Sequence, residues 1–429
     1  MEQQISRRVL IGGGVAAALG ALVPSGAAFA STKPAGAGIH VDRVRGLSPD
    51  FAMGVDVSTV LSLEESGVVF RDAHGRPADL FRVLAQNGVN SVRIRVWNNP
   101  FDDVTHQGYG GGNVGIARAV EIGRRATRAG LGVLVDFHYS DFWADPARQL
   151  APKAWAGISV AQTARALHDY TVQSLRAFKR AGVRVTAVQI GNEINNGIAG
   201  YTRPGMEIDG SFAALLEAGA SAVRSTLPQA KVVVHFTNPE TAGRFATYAA
   251  GLRRYRVDYD VFASSYYAFW HGTPENLTSV LTQVSRTYGK EVMVAETSWA
   301  RTLEDGDGYG NSIGSADQAP EYEISVQGQA DALHDVIAAV AAVGRAGIGV
   351  YYWEPAWLPV GPPTDYAHNS ALWEKYGSGW ATSAASSYDP ANVGPWYGGS
   401  AWDNQSLFDW DGTPLESLRT FQYVRTGKR

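Results

Sequence analysis

Short β-forming runs alternate with amphipathic helical runs from about residue 53 onward, and this alternation constrains the fold more than any other feature. Such repeats build a parallel sheet with helices packed outside it. The predicted strands are residues 54–58, 91–97, 133–138, 186–191, 231–236, 261–266, 291–295 and 349–353. The predicted helices are residues 78–88, 116–128, 160–181, 211–225, 240–254, 275–288, 326–345 and 415–424. Eight repeats favour an α/β fold of the TIM (β/α)8 barrel type.

The alternative fold is a doubly wound open sheet, which usually has fewer strands and an early Gly-rich phosphate-binding turn. No linker divides the chain, so a single catalytic domain is predicted over residues 53–429, after a lead-in at 31–52. Long loops follow strands seven and eight. The segment 355–411 is rich in Gly, Pro, Ser and Trp and lacks helical periodicity. A loop of this length within a compact domain is usually functional.

The first thirty residues have the features of an export signal. Arg7 and Arg8 precede an apolar stretch at 11–23, and the run AFA at 28–30 fits a cleavage site. Paired arginines beside such a stretch resemble a twin-arginine signal. A permanent membrane anchor is less favoured, because the stretch is short and Gly-rich. We expect residues 1–30 to be a cleaved signal peptide and the mature protein to be secreted and free of the membrane.

Composition excludes several classes of function. The chain has no cysteine, which rules out zinc fingers, thiol catalysis and iron–sulfur clusters. Its net charge is −4 without a basic footprint, so nucleic acid is not an expected partner. Its 12 tryptophans either fill the core or stack on sugar rings in a cleft. We expect a monomer.

Two glutamates end predicted strands on facing sides of such a barrel: Glu193 in the run VQIGNE and Glu296 in the run VMVAE. Reactive side chains of these barrels gather at the carboxyl ends of the strands. Retaining cleavage of a glycosidic bond needs a carboxylic acid that protonates the leaving oxygen. It also needs a carboxylate roughly 5–5.5 Å away that attacks the anomeric carbon. We expect Glu193 to be the acid/base and Glu296 to be the nucleophile.

Either motif alone is weak evidence, because a glutamate at a strand end also caps the following helix. Together, at the ends of correctly ordered strands, they favour a glycoside hydrolase. Arg93 or Arg95 is expected to keep Glu296 ionised while burial keeps Glu193 protonated. Asn192 is expected to hydrogen-bond the sugar 2-hydroxyl. The polar residues expected to bind substrate are Asp56, Arg93, Arg95, His138, Asn192 and Tyr266.

Several runs at these strand ends resemble glycoside hydrolase family 53, the endo-β-1,4-galactanases. The runs are GVDVS (54–58), RIRVW (93–97), DFHYSD (136–141) with WADP (143–146), GNE (191–193), SYY (265–267) with FWHG (269–272), ETSW (296–299) and WEP (353–355). The resemblance extends from about Gly54 to Trp410, and DFHYSD joined to WADP is its most specific part. It departs at Ala268, where the family commonly has proline. It implies retaining endo-hydrolysis of β-1,4-galactan, the side chain of pectin and of type I arabinogalactan, by Glu193 and Glu296.

Aromatic residues at or beyond the strand ends are candidates for stacking on sugar rings. Trp143, Trp299 and Trp353 are predicted to bind substrate, with Trp353 favoured because it ends strand eight. Trp97 and Trp357 are further candidates. Each is explained equally well as a core or loop anchor.

The loop after strand seven has oxygen donors on alternate residues, in the run DGDGYGN at 305–311. This pattern suits a hard cation, and an EF-hand is unsuitable because its twelfth position is Ala316. The family resemblance implies one structural calcium ion that also binds the strand-eight loop, and it assigns a histidine where this chain has Tyr309. The alternative is a solvated acidic turn. The expected ligands are Asp305, Asp307, Tyr309, Asn311, Ser400 and Asp403.

Two alternative functions stay open. A clan relative would use the same two glutamates on another β-linked polysaccharide, such as mannan or xylan. A non-catalytic polysaccharide-binding protein on a degenerate barrel predicts the loss of one carboxylate, yet both are present.

Overall fold

Eight parallel strands close into a barrel in the computed structural model, which describes residues 38–203, 205, 207–391, 393 and 397–428. The barrel strands are β1 (Ala52–Asp56), β2 (Ser91–Val96), β3 (Gly132–Phe137), β4 (Val185–Ile190), β5 (Lys231–Phe236), β6 (Val261–Ser265), β7 (Glu291–Thr297) and β8 (Gly347–Tyr352). Each strand pairs with its neighbours in chain order, and β8 pairs with β1 to close the cylinder. The predicted TIM (β/α)8 barrel is confirmed.

Helices lie between the strands, as a barrel of βα units requires. A short hairpin of Gly197–Ile198 and Tyr201–Thr202 follows β4. The helices are α1 (Val60–Glu65), α2 (Leu80–Gln86), α3 (Ile116–Arg128), α4 (Val160–Arg180), α5 (Gly210–Thr226), α6 (Arg244–Arg254), α7 (Pro274–Tyr288), α8 (Val326–Ala341), α9 (Tyr366–Tyr376) and α10 (Thr420–Thr426).

Local sequence signals explain where several helices begin and end. Before α4, Ser159 and Gln162 form a reciprocal capping box. At α7, the Thr273 side chain accepts a backbone N–H, Pro274 occupies the first turn, and Gly289 ends the helix in the left-handed conformation. These signals are readable in the sequence, so the predicted bounds of both helices differ from the observed ones by only a residue.

Alternate residues of the strands separate the core into two layers. One cluster comprises Leu134, Val233, Ala263, Met293 and Tyr351 and fills the barrel interior. The intervening strand residues pack outward against the helices in a larger cluster. This close packing makes the barrel a rigid scaffold for the side chains at the strand ends.

The prediction that residues 355–411 lack helix is wrong for one stretch, because α9 lies there. Asp365 caps its first turn by accepting the His368 N–H, and Gly377 ends it with a φ of 67°. The helix buries only Asn369 and Trp373. It therefore lacks the apolar stripe from which helices are predicted.

Several other predicted helices are longer than the observed ones, as two of them illustrate. α6 begins at Arg244 rather than at residue 240, because Gly243 precedes it with a φ of 74°. α8 ends at Ala341 rather than at residue 345, and Gly344 follows with a φ of 87°. Left-handed backbone cannot continue a helix.

The described residues begin at residue 38, within the predicted lead-in at 31–52 and after the predicted export signal. Val41 and Lys428 exchange backbone hydrogen bonds of 2.8 Å, which tie the start of the described chain to its end. The predicted signal peptide at 1–30 lies outside the described residues. Among the described residues, none of the helices combines the length and the apolar character that a membrane span requires.

Candidate active site

Charged and polar side chains gather at the mouth of the barrel where the strands end. They are buried although many carry charge: Glu193 is 4% exposed and Glu296 is 7% exposed. Burying an unpaired charge is costly, so each group needs a partner. The buried polar residues of this mouth are Asp56, Arg93, Arg95, Asp136, His138, Gln189, Asn192, Glu193, His235, Ser265, Glu296 and Glu354.

The backbone is strained directly after several strands. Tyr139, Glu193 and Glu354 follow β3, β4 and β8 with φ values of 50°, 43° and 46°. Residues other than glycine rarely adopt this conformation, at a cost on the order of 1–3 kcal/mol each. Gly191 adopts a φ of 102°, and a Cβ there would lie 2.5 Å from the Ile194 side chain. Strain at three strand ends is typical of a functional site.

Glu193 is held by residues of the next two strands. Ser265 Oγ on β6 donates to Glu193 Oε1 at 2.7 Å. The backbone N–H of Glu193 points at His235 Nδ1 on β5, 3.4 Å away. Ser265 is also the register partner of Glu296 on β7. Ser265 therefore contacts the Glu193 carboxyl and lies beside Glu296 in the sheet.

Glu296 faces a cation and a phenol. Arg93 Nη1 lies 2.9 Å from Glu296 Oε1, and the Tyr267 hydroxyl donates to Glu296 Oε2 at 3.1 Å. Both donors stabilise the ionised carboxylate.

The ionisation of Glu296 depends on the charge of Glu193. Burial raises the pKa of Glu296 to about 8, with Arg93 opposing this shift and the charge of Glu193 adding to it. Two neighbouring buried carboxyls do not both ionise readily. Because Arg93 and Tyr267 favour the ionised form of Glu296, we place the proton on Glu193.

Arg93 is the centre of the charge network. Its guanidinium lies 3.1 Å from Asp56 and 2.8 Å from Asp136. It also donates to Asn192 Oδ1 at 2.7 Å and to Gln189 Oε1 at 3.2 Å. Burial lowers the pKa of Arg93, but the surrounding carboxylates more than offset this and raise it above its usual value. Arg93 therefore stays charged and holds the mouth together.

Arg95 connects the charge network to the tryptophans of the loops. Its Nη2 lies 3.1 Å from Glu354 Oε1 and donates to Gly111 O at 2.7 Å. Its guanidinium lies 4.3 Å from the ring centre of Trp143 and 5.2 Å from that of Trp97. This is cation–π geometry, which holds the Trp143 ring beside the charged residues.

His138 is neutral and fixed in one tautomer. Trp97 Nε1 and the Ala144 N–H each lie 3.2 Å from His138 Nδ1 and donate to it. Its Nε2 lies 3.2 Å from Asp136 Oδ2. Burial lowers the pKa of His138, with Asp136 opposing the shift. The single ring proton is therefore on Nε2 and points at Asp136.

Five tryptophans, Trp143, Trp270, Trp353, Trp380 and Trp402, form a continuous surface that we call the aromatic wall. Trp380 stacks on Trp143 at 4.6 Å and on Trp402 at 5.9 Å between ring centres. Trp353 meets Trp402 at 5.0 Å, and Trp270, which is 38% exposed, lies 6.1 Å from Trp402. Flat apolar faces with polar N–H edges suit sugar rings.

The structure brings most of the predicted site residues together. Trp143 and Trp353 belong to the aromatic wall, and Arg95 connects Trp143 to the charged groups. The predicted residues joined in the charge network are Asp56, Arg93, Arg95, His138, Asn192, Glu193 and Glu296.

The structure places Tyr266 and Trp299 away from this network. The Tyr266 hydroxyl donates to Gly272 O at 2.7 Å, and Trp299 Nε1 donates to Glu323 O at 2.9 Å. Both side chains are fully buried. Successive residues after a strand tend to point to opposite faces, so Tyr266 points outward where Ser265 and Tyr267 point inward.

Sequence reasoning missed Gln189 and Ser265, and it assigned no role to His235, Tyr267 or Glu354. Gln189 Nε2 donates to Asp136 Oδ1 at 2.6 Å. The signal for Gln189 was a polar residue inside an apolar strand run. Ser265 carried no comparable signal, because a serine at a strand end is common.

A second group of carboxylates, Asp305, Asp307 and Asp403, forms what we call the acidic loop cluster, in the loops after β7 and β8. One carboxylate oxygen from each lies within 4.8 Å of the others. Asp307 accepts the Ser400 N–H at 2.9 Å, and Asp403 accepts the Gly306 N–H at 2.9 Å. The predicted ligands of the two loops are therefore adjacent in space.

The acidic loop cluster concentrates negative charge in a buried place. Burial raises the pKa of Asp307 to about 8 and that of Asp403 to about 7, and repulsion from neighbouring carboxylates adds to both shifts. Asp403 Oδ1 and Asn311 Oδ1 are buried without a hydrogen-bond partner. The Tyr309 ring packs near Trp373, and its backbone N–H donates to Asp307 at 2.8 Å. Oxygen donors arranged in this way suit a hard cation such as Ca²⁺.

Comparison with known proteins gives one consistent family. The family described as Glycosyl hydrolase family 53 matches residues 52–421. The chain is 55% identical to an endo-beta-1,4-galactanase of Bacillus subtilis (strain 168) over 390 residues, which cover 91% of this chain and 89% of the relative.

Two solved structures extend the likeness to the fold. The GH53 catalytic domain of Ignisphaera aggregans superposes with a TM-score of 0.79 at 36% identity, covering 90% of this chain and 99% of that one. A structure described as one of two fungal beta-1,4-galactanases gives a TM-score of 0.67 at 30% identity, covering 86% and 98%.

Proposed function

The chain belongs to glycosyl hydrolase family 53, and we propose that it is a retaining endo-β-1,4-galactanase that cleaves galactan and type I arabinogalactan. The observation that carries this proposal is the buried pair of Glu193 and Glu296, in which Arg93 and Tyr267 stabilise one carboxylate as an anion. The similarity to proteins named galactanases supports the choice of substrate.

In the first half-reaction, Glu193 donates its proton to the glycosidic oxygen between two galactose units. Glu296 attacks the anomeric carbon, the bond to the leaving oxygen breaks, and a covalent glycosyl–enzyme forms. Arg93 and Tyr267 position the attacking oxygens of Glu296.

In the second half-reaction, the ionised Glu193 removes a proton from a water molecule as that water attacks the anomeric carbon. The bond to Glu296 breaks, and Glu193 regains the proton that it lost. Two displacements leave the product in the β-configuration of the substrate.

Asn192 is placed to bind the sugar 2-hydroxyl. Its Oδ1 accepts from Arg93 at 2.7 Å, and its Nδ2 donates one hydrogen to Ala144 O at 2.8 Å. An amide nitrogen carries two hydrogens, and we assign the second to the 2-hydroxyl. This contact strengthens as positive charge develops on the ring in the transition state.

The aromatic wall binds the sugars that flank the cleaved bond. Stacking on an indole buries the apolar face of a galactose ring while its hydroxyls stay hydrated. A wall of several rings binds several sugars at once, which suits attack within a chain rather than at its end.

The test is the release of reducing ends from unbranched β-1,4-galactan, mannan and xylan by the purified protein. Galactan should be cleaved with early release of oligosaccharides, since an endo-enzyme cuts internally. Preferential cleavage of mannan or xylan would assign the chain to another substrate. Binding without cleavage of any polymer would favour a non-catalytic role.

We further propose that the acidic loop cluster binds one structural Ca²⁺ ion. The residues that would hold it are Asp305, Asp307, Tyr309, Asn311, Ser400 and Asp403. Buried carboxylates with an unpartnered oxygen at Asp403 support this assignment. The ion would supply the positive charge that ties the β7 loop to the β8 loop.

We also propose that residues 1–30 direct export through the twin-arginine route and that the mature enzyme acts outside the cell as a monomer. Paired arginines before an apolar stretch and an A-x-A site support export. When Arg7 and Arg8 are both replaced by lysine, the galactanase activity should remain inside the producing cell. Light scattering of the mature chain tests the monomer.

A further inference from the structure

A chain of hydrogen bonds runs from the Arg93–Asp136 ion pair to the acid/base Glu193. Gln189 Oε1 accepts from Arg93 Nε at 3.2 Å, and Gln189 Nε2 donates to Asp136 Oδ1 at 2.6 Å. The orientation of the Gln189 amide is therefore fixed by one cation and one anion. Its nitrogen also lies 3.0 Å from His235 Nδ1.

The tautomer of His235 follows from the groups that face it. The Glu193 backbone N–H directs its hydrogen at Nδ1, 3.4 Å away. The Gln189 amide nitrogen lies 3.0 Å from the same atom, although besides Asp136 it also has Gly191 O and Asn192 Oδ1 as acceptors within 3.2 Å. Burial lowers the pKa of His235 well below its usual value, so the ring is neutral and carries one proton. Nδ1 is then an acceptor, which places the ring proton on Nε2. Asn192 Oδ1 lies 3.0 Å from Nδ1 and accepts from Arg93 Nη2, but a ring proton on Nδ1 would face the hydrogen of the Glu193 N–H.

The direction of the last two bonds follows. His235 Nε2 lies 2.9 Å from Ser265 Oγ and donates to it. Ser265 has one hydrogen, and its hydroxyl lies 2.7 Å from Glu193 Oε1. With a donor already facing its oxygen, the hydroxyl turns its hydrogen toward Glu193.

We propose that Gln189, His235 and Ser265 are positioning residues that keep the acidic proton of Glu193 on Oε2. Ser265 donates to Oε1, and the carbonyl oxygen of a carboxylic acid accepts a hydrogen bond more strongly than its hydroxyl oxygen does. This bond therefore favours Oε1 as the carbonyl oxygen. The proton therefore stays on the other carboxyl oxygen, where the first half-reaction needs it. This inference rests on the proposed function, since it assigns a task within that reaction.

The same chain of hydrogen bonds also supports Glu193 in the second half-reaction. Ionised Glu193 is an acceptor at both oxygens, and Ser265 continues to stabilise the charge at Oε1. In this assignment, Oε2 is the oxygen that takes the proton of the attacking water. All three supporting side chains are fully buried, so solvent does not compete for these bonds.

The test compares two substrates that differ in their need for an acid. Cleavage of galactan needs a proton on the leaving oxygen, whereas 2,4-dinitrophenyl β-galactobioside has a leaving group that departs without one. Ser265→Ala should lower kcat/KM on galactan by about 10- to 100-fold, a part of what general acid catalysis supplies. On the dinitrophenyl substrate kcat/KM should change less than about threefold, because it reports only formation of the glycosyl–enzyme.

Two controls separate positioning from packing. Ser264→Ala removes a neighbouring buried hydroxyl that donates only to Ser265 O, and it should leave both substrates unaffected. Ser265→Thr keeps the hydroxyl and should restore cleavage of galactan. If Ser265→Ala does not fold, Ser265→Cys carries the same test, since a thiol fills the volume but donates weakly.

Equal losses on the two substrates, or no loss on galactan, would overturn the proposal. A wild-type protein that cleaves neither substrate would instead contradict the proposed function itself.

Discussion

The barrel mouth and the acidic loop cluster both crowd carboxylates into buried places, but they neutralise them differently. In the mouth, Arg93 reaches Asp56, Asp136 and Glu296 within 3.1 Å. In the acidic loop cluster, the nearby Arg301 forms its ion pair with Asp409 at 3.1 Å. The mouth thus has its cation built into a strand, while the Ca²⁺ ion that we propose for the cluster would come from solution. A built-in cation keeps the catalytic geometry in place before substrate arrives.

The largest loss of activity is expected when Glu296, the carboxylate paired with Arg93, is replaced. Glu296→Gln removes the nucleophile and should lower kcat on galactan on the order of 10⁴- to 10⁶-fold. The thermal transition should stay near that of the wild type, because the amide fills the same space. Hydrolysis at more than about a hundredth of the wild-type rate would contradict the assigned role.

Removing Arg93 should leave the mouth, like the acidic loop cluster, with buried carboxylates that have no cation of the protein beside them. Arg93→Met leaves several buried carboxylates without their partner, at a cost of about 3–5 kcal/mol in the free energy of unfolding. Denaturant unfolding measures this loss. Arg76→Met, which breaks an exposed ion pair, is the matched control and should cost far less. Equal costs for the two variants would contradict the account.

Removing the external cation tests the other half of the comparison. Dialysis against a chelator should lower the thermal transition, and Ca²⁺ at about a hundred times its dissociation constant should restore about 2.7 kcal/mol. Asp307→Asn should abolish the response to Ca²⁺. An unchanged thermal transition with and without chelator would rule out the ion. The acidic loop cluster would then be a solvated acidic turn.

The pH dependence of catalysis reports the proton that the two glutamates share. The active form holds one proton on the pair. Burial raises the pKa of Glu296 to about 8, and because the two carboxyls titrate together, we assign this value to loss of the proton that the pair holds. Activity is therefore present below that pKa and is lost as pH rises through about 8, by about tenfold per further unit. The profile of kcat/KM on galactan, with stability checked at each pH, measures this. A rate that stays constant well above pH 8 would contradict the shared proton.

The barrel and the position of Glu193 and Glu296 at its mouth were predictable because their signals are local. Strand–helix alternation sets the fold, and the carboxyl ends of parallel strands must meet at one mouth. The support for Glu193 was not predictable, because Ser265 and His235 act through contacts between distant parts of the chain.

Single-residue errors came from side-chain direction and from weak periodicity. Tyr266 was assigned to the substrate although its neighbour Tyr267 contacts Glu296, a difference of one residue that reverses the face of the strand. Helix α9 was missed because it buries too little apolar surface to show a stripe. The sequence thus shows which residues lie at strand ends. The face of the sheet to which each side chain points depends on the register of the strands, which the sequence does not show.

The most direct test of the central claim is to trap the covalent intermediate. In Glu193→Ala, 2,4-dinitrophenyl β-galactobioside needs no acid to form the glycosyl–enzyme, and the missing base slows its hydrolysis. Mass spectrometry of the intact protein and of its peptides should find one galactobiosyl group on Glu296. A group on any other residue, or an inverted product formed without any covalent intermediate, would contradict the account.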